Sequence, residues 1–230
     1  MAQLSRARGL VLRTQDHAET DRIAVLLTPN FGRLDLLAKG ARRLDRASGA
    51  ALDVLNLVDV IFYRRHGLAL LRDVDLAGTF PNVRGDLKRL SCALAGLQWA
   101  LALVPRWMAD PVSYRNTLEF LSALERGGPP ERLRIGYTLR ILSATGHRPH
   151  LDGCVQCGSQ KGLTWSPARG GFLCTGCGGT GEVLPPKLVH TLQGMARLPL
   201  SALGRLQVEE PILKRMDELL HLFREVQLAR

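Results

Sequence analysis

The sequence predicts a multi-domain α+β protein, with a small five-stranded barrel first, α-helices after it, and a cysteine-rich insert between two of the helices. Three observations carry this. Short apolar runs alternate with turn signals through the first eighty residues, Leu/Ala-rich helical patterning follows Pro81, and two CxxC pairs lie between 154 and 177. With 46% hydrophobic and 23% charged residues among 230, there is ample apolar material for a core, which excludes a disordered chain.

The predicted strands are Gly9–Thr14, Arg22–Thr28, Arg33–Ala38, Leu52–Tyr63 and Leu68–Leu76, with Pro29-Asn30-Phe31-Gly32 as a turn between the second and third. In the fourth run, Leu52, Val54, Val58, Val60 and Phe62 share one face with Asn56, while Asp53 and Asp59 fall on the other, the pattern of a half-buried strand. Five strands in about eighty residues fit the OB-fold, a small partly open Greek-key barrel. After Pro81, Asp86–Val104 reads as a helix. A second follows Ser113 and stops at Gly127-Gly128; a third opens on Pro130 and closes at Gly146. A fourth covers Pro186–Arg197, and the last covers Pro211–Leu228 with one apolar stripe. The expected domains are residues 1–80, a helical domain from 81–150 with 184–230, and an insert at 151–183.

Lys+Arg outnumber Asp+Glu by 31 to 21, a formal charge of +10. The excess divides as +3, +5 and +2 over residues 1–80, 81–150 and 151–230, so local clusters matter more than segment totals. Such a balance favours a polyanionic partner. The longest apolar run, Cys92–Val104, is too short for a bilayer, which needs roughly 20 residues, and the N-terminus has no signal-peptide core. A cytoplasmic protein without membrane contact is expected.

Cys154, Cys157, Cys174 and Cys177 form C-x2-C-x16-C-x2-C. Two intervening residues let a tight turn aim both sulfurs at one ion, and a glycine follows each pair. Four thiolates leave no open coordination position, so one structural Zn2+ is expected, with Trp165 and Phe172 supporting a short hairpin. Redox-active CxxC chemistry is the competing reading, but neither pair stands at a strand-to-helix junction. His147 and His150 are read as ordinary loop residues.

Lys39, Arg42, Arg43 and Arg46 crowd one loop between predicted strands three and four, opposed only by Asp45. A barrel rim carrying four cations can grip phosphates with strong salt dependence and little sequence preference. A solvated charge run is the plainer alternative. Aromatics are only 5% of the chain, which argues for backbone grip over base stacking. Asp73 and Asp75 share a strand face, and His17, Glu19 and Asp21 are close in sequence, yet no Walker, GxSxG or HExxH motif accompanies them. No catalytic residue is predicted, and the carboxylates are read as solvent-facing.

The opening GLVLRTQDHAETDRIAVLLTPNFGRLDLLAKGARR resembles the N-terminal signature of the RecO recombination-repair family, from its first-strand "VL" through "ETD" and "TPxxG" to "AKGAR". The resemblance runs on through Leu52–Leu76, and the helical region with its CxxC…CxxC insert is similar to zinc-bearing members. It implies an N-terminal OB-fold, a central helical domain and a zinc ribbon packed with it. It further implies binding of single- and double-stranded DNA, annealing of complementary strands, and, with RecR, loading of RecA onto DNA covered by single-strand-binding protein (SSB). RecA would thus be an indirect partner, and the protein would be nucleoid-associated. Carried onto this chain, the DNA-contact candidates are Lys39, Arg42, Arg43 and Arg46, with Arg13 and Arg33 added as flanking the same rim. Arg115, Arg132 and Arg140 are candidate rim residues of a groove for the acidic SSB tail. The rival function is an RNA-binding OB and zinc-ribbon protein.

Overall fold

A computed structural model describes residues 3–42, 48–65 and 67–229. Five strands, β1 (Leu4–His17), β2 (Asp21–Thr28), β3 (Gly32–Ala38), β4 (Leu57–Tyr63) and β5 (Ala69–Gly78), close a barrel in the order β1-β2-β3-β5-β4. The long β1 makes closure possible. Its first half pairs with β4, from Leu4 opposite Tyr63 to Leu10 opposite Leu57, and its second half pairs with β2 as far as His17 opposite Asp21. A register shift between Val11 and Arg13 bends the strand where it changes partner. β3 and β5 run parallel, through Leu36–Ala69 and Leu37–Leu70, so all five strands form one closed barrel.

Period-two alternation sends Ala24, Leu26, Leu34, Leu36, Val58, Val60 and Phe62 into the barrel interior. Leu10, Leu12, Val25 and Leu27 lie outside that cluster yet are also buried. The cause is a second layer: α3 (Leu87–Leu103) packs on β1, and α4 (Pro111–Glu125) packs on β2. This explains why Arg22–Thr28 reads as a nearly continuous apolar run. The barrel, the short helices α1 (Ser48–Ala51) and α2 (Pro81–Arg84), α3 and α4 form one compact unit, Met1–Arg126.

The first strand is longer than expected, Leu4–His17 instead of Gly9–Thr14, and two further boundaries differ for local reasons. The fourth strand starts at Leu57 instead of Leu52, because residues 52–56 form a turn with Leu55 at φ +71°. Leu52 is buried from that turn, so its apolarity mimicked strand periodicity, and Asn56 Nδ2 caps the turn by donating to the carbonyls of Ala50 and Ala51 at 3.0 and 3.1 Å. Helix α4 begins ahead of Ser113: Asp110 is its N-cap, accepting from the Ser113 amide at 2.8 Å.

The second unit, Gly127–Arg230, is organised around α5 (Pro130–Ala144), whose Leu133, Ile135, Tyr137, Leu139, Ile141 and Leu142 are buried on nearly every side. The hairpin β6 (Leu163–Ser166) and β7 (Gly171–Cys174), then α6 (Pro186–Arg197), a 3-10 segment Leu200–Arg205 and α7 (Glu210–Leu228) complete it. Trp165 faces Phe172 across the hairpin at 5.5 Å and meets Phe223 of α7 at 5.6 Å, and its indole Nε1 donates to the Leu219 carbonyl at 2.9 Å. These contacts lock the hairpin onto α7. Among the described residues, no helix is long and apolar enough to cross a membrane.

Candidate metal centre and nucleic-acid interface

The four cysteines meet. Their Sγ atoms all lie within 4.8 Å of one another, with Cys157 and Cys174 at 3.6 Å, against the ~3.8 Å edge expected of a tetrahedron with Zn–S bonds of about 2.3 Å. Each pair sits on a knuckle: Gly158 N donates to Cys154 O at 2.8 Å and Gly178 N to Thr175 O at 3.1 Å, both glycines being left-handed at φ +76° and +84°. Cys154 and Cys174 are buried, while Cys157 is exposed.

The donor set asks for a cation. Backbone N–H groups, that of Cys174 foremost, lower the Cys154 thiol to about 6, so one sulfur is readily anionic. Hydrogen bonding of the Cys177 thiol to the sulfur of Cys157, then to that of Cys174, favours its protonated form and pushes Cys177 up to about 12. Four crowded sulfurs therefore resist joint deprotonation until a positive ion sits among them, which is how such a cluster accepts a metal. The residues fit a structural metal ion; among those described, they are the only grouping of three or more His, Cys, Asp or Glu side chains able to hold one.

Lys39 and Arg42 lie where the loop leaves β3, and Arg43 and Arg46 fall outside the described residues. The start of this loop is docked on the β1–β2 hairpin. Gly40 N donates to Asp21 Oδ1 at 2.8 Å and Arg42 N to Thr20 O at 3.0 Å. The Arg42 guanidinium donates to Glu19 O at 3.1 Å and lies 3.4 Å from Asp16 Oδ2. The Gly40 amide, ahead of nearby Lys39 and His17, holds the Asp21 carboxyl below its usual range. Asp16, Glu19 and Asp21 thus offset Lys39 and Arg42 locally. His17, Glu19 and Asp21 act as hairpin-tip residues here.

Arg33 stands at the first turn of β3, six residues from Lys39 and at the opposite end of the strand. Its guanidinium is taken up by the Leu101 carbonyl and lies 3.9 Å from Asp35, which Arg106 contacts at 2.7 Å. Arg13 is exposed and pairs with Val25, itself opposite Asp35, so Arg13, Arg33 and Arg106 gather around one buried carboxylate. Burial first, then the Arg106 and Arg13 cations, lower the Arg33 guanidinium. The structure brings Arg13 to Arg33 and separates Arg33 from the basic loop.

Sequence reasoning missed Trp107. Residues 104–110, between α3 and α4, lie against the β2–β3 turn through Arg33 N to Pro105 O at 3.0 Å, Trp107 N to Arg33 O at 3.3 Å and Asp110 N to Pro29 O at 3.0 Å. This sets Trp107 at φ +58° against Phe31 and Phe62, with ring centroids at 6.1 and 6.3 Å. A bulky residue in the left-handed region is an outlier whose strain is held by its surroundings. The available signal was Pro105-Arg106-Trp107-Met108, an aromatic and a cation in an inter-helix loop.

Of the helical arginines, Arg115 is exposed on α4. Arg132 donates to the Gly204 and Leu206 carbonyls and ties the 3-10 segment to α5, while Arg140 donates to those of Gly136 and Leu198 and ties the C-terminal end of α6 to α5. Asp73 and Asp75 border an open cleft of about 440 Å³ with Arg6, Arg8 and Asp59. Arg8 grips Asp59 there at 2.6 and 2.8 Å.

A closed five-stranded barrel joined to helices bearing a four-cysteine ribbon, with ten net positive charges, has the make-up of a basic OB-fold nucleic-acid-binding protein. Two family models match: the "Recombination protein O N terminal" model over residues 1–80 and the "Recombination protein O C terminal" model over 84–230. Relatives named DNA repair protein RecO include one from Rubrobacter xylanophilus, 32% identical over 86% of this chain and 83% of its own length. Another, from Anaeromyxobacter sp. strain K, is 33% identical over 96% of this chain and 91% of its own length. The chain belongs to the RecO family of DNA repair proteins.

Proposed function

We propose that the protein is a non-enzymatic mediator of recombination repair that binds single- and double-stranded DNA and anneals complementary strands. With RecR it helps load RecA onto DNA coated by SSB, whose acidic tail docks on the helical domain. The observation that carries this reading is membership of the RecO family across both matched segments. The closed barrel and the charge of +10 support it physically. Two strands repel through their phosphates, and a surface of guanidinium and ammonium groups screens that repulsion while leaving base edges free to pair. Lys39, Arg42, Arg43 and Arg46 are the proposed phosphate contacts, with Arg13 a further one. Arg33, engaged with Leu101 and facing Asp35, contributes field more than direct contact. The metal is Zn2+, held by Cys154, Cys157, Cys174 and Cys177, and it supplies a cross-link for the ribbon. The site of action is the cytoplasmic nucleoid.

Competition between DNA and RNA oligonucleotides of equal sequence, repeated across a salt series, tests this reading. Equal or stronger DNA binding that weakens steeply with salt is expected; a clear RNA preference would establish the RNA-binding alternative instead.

A further inference from the structure

We propose that Trp107, with Phe31 and Arg64, forms a stacking platform for one unpaired nucleobase at the end of the barrel. The inference rests on the DNA-binding reading and adds a base contact to a phosphate grip. Trp107 keeps 36% of its surface exposed and the adjacent Met108 61%, whereas the other two tryptophans are buried. Phe31 meets Phe62 edge-on at 5.6 Å, which fixes its ring as the floor of the patch. The Arg64 guanidinium lies 4.7 Å above the Phe31 ring and is held by Ser5 Oγ at 3.0 Å. Arg64 thus caps the Phe31 ring, and the partly exposed Trp107 ring beside Phe31 and the outer face of the guanidinium are the kinds of flat surface on which bases stack.

The surroundings select the occupant. Arg106 precedes Trp107, is 57% exposed, and leaves Asp35 outnumbered by Arg33 and itself. An apolar patch flanked by arginines complements a flat base between phosphates, because the single Asp35 carboxylate answers only one of the two positive charges of Arg33 and Arg106. The outer side of β1 and β2, where a small barrel could present stacking residues, is covered here by α3 and α4. The exposed aromatic surface is displaced to the strand end. Bonds from Arg33, Trp107 and Asp110 hold the ring in place before any ligand arrives.

The platform and the Lys39 end of the loop stand at opposite ends of β3, roughly 20 Å apart at ~3.4 Å per residue. A single strand lying along the barrel can therefore meet both.

The test compares binding of a short oligo(dT) and an abasic oligonucleotide of equal length by the full chain, its Trp107→Ala variant and its Trp107→Phe variant, with melting followed in parallel. The wild type is expected to prefer oligo(dT) by about 5- to 100-fold, the loss of one stacked base. Trp107→Ala should erase that preference without changing the salt slope, and Trp107→Phe should restore most of it. If the wild type binds both oligonucleotides equally, the platform is refuted while DNA binding stands, and the patch belongs to a protein partner. An equal loss for both oligonucleotides in Trp107→Ala also overturns it. Absence of salt-sensitive DNA binding altogether refutes the platform together with the DNA-binding reading.

Discussion

Gly32→Ala probes the seam that holds Trp107 against the barrel. A Cβ at Gly32 would stand 2.2 Å from Met108 O and 2.6 Å from Pro105 O, both backbone atoms that no rotamer change can move away. The residue is also left-handed, φ +57°, a conformation that costs an alanine about 1–2 kcal/mol. Displacing two carbonyls adds ~1–3 kcal/mol, by analogy with overpacked cores. Reduced freedom of the unfolded chain returns about 0.4–1 kcal/mol. The net loss is about 1–4.6 kcal/mol, against ~6–19 kcal/mol for a unit of this size, so the barrel should stay folded while the seam opens. Hydrogen exchange at the Arg33, Trp107 and Asp110 amides reads that opening directly, because each bond crosses between the two segments. Exchange should accelerate by about 5- to 2000-fold, with a lower urea midpoint. Unchanged exchange and an unchanged midpoint would refute the close approach and the rigidity argued for Trp107.

Cys174→Ser should abolish stoichiometric metal binding and cost at least about 2 kcal/mol, a fall in melting temperature of roughly 8–16 °C for the unit carrying the ribbon. Retained salt-sensitive DNA binding would accompany it if the ribbon is structural; unchanged melting with lost DNA binding would reverse that assignment. Asp59 is held below the usual carboxylate range by the Arg8 hydrogen bonds. Its stabilising effect is therefore full above about pH 4 and fades as pH falls through the lower folded value. Asp59→Asn should reduce stability slightly at neutral pH, since both partners are about half exposed, and converge with wild type in strong acid; a larger difference in acid than at neutrality would contradict the sign.

Elements with a strong local signal were legible in the sequence. Asp86 caps α3, Pro130 opens α5 and Pro186 opens α6 as their residue types require, and the CxxC spacing brings four sulfurs together. The five-stranded barrel followed from strand count and spacing, whereas the order β1-β2-β3-β5-β4 and the full closure are read from the structure alone. What sequence could not supply were tertiary effects. Leu52 looks like strand because burial is all that periodicity records, and its place in a turn depends on Asn56 reaching back to Ala50 and Ala51. The Arg13, Arg33 and Arg106 gathering depends on cross-strand register and on a loop seventy residues away. Trp107 is a site candidate only because that loop is zipped to the β2–β3 turn. Arg132 and Arg140 look like rim cations until the Leu206 and Leu198 carbonyls, which flank the 3-10 segment, take their donors.

Annealing of two complementary oligonucleotides across a salt series, comparing wild type with a Lys39/Arg42/Arg43/Arg46→Ala variant, tests the central claim most directly. The wild type should accelerate annealing, and the variant should lose most of that rate, with the log–log salt slope of binding flattened by about 2–4 units. The lower end applies if Asp16 already shares the Arg42 charge. A wild type that does not anneal, or a variant that anneals and keeps its slope, would contradict the account.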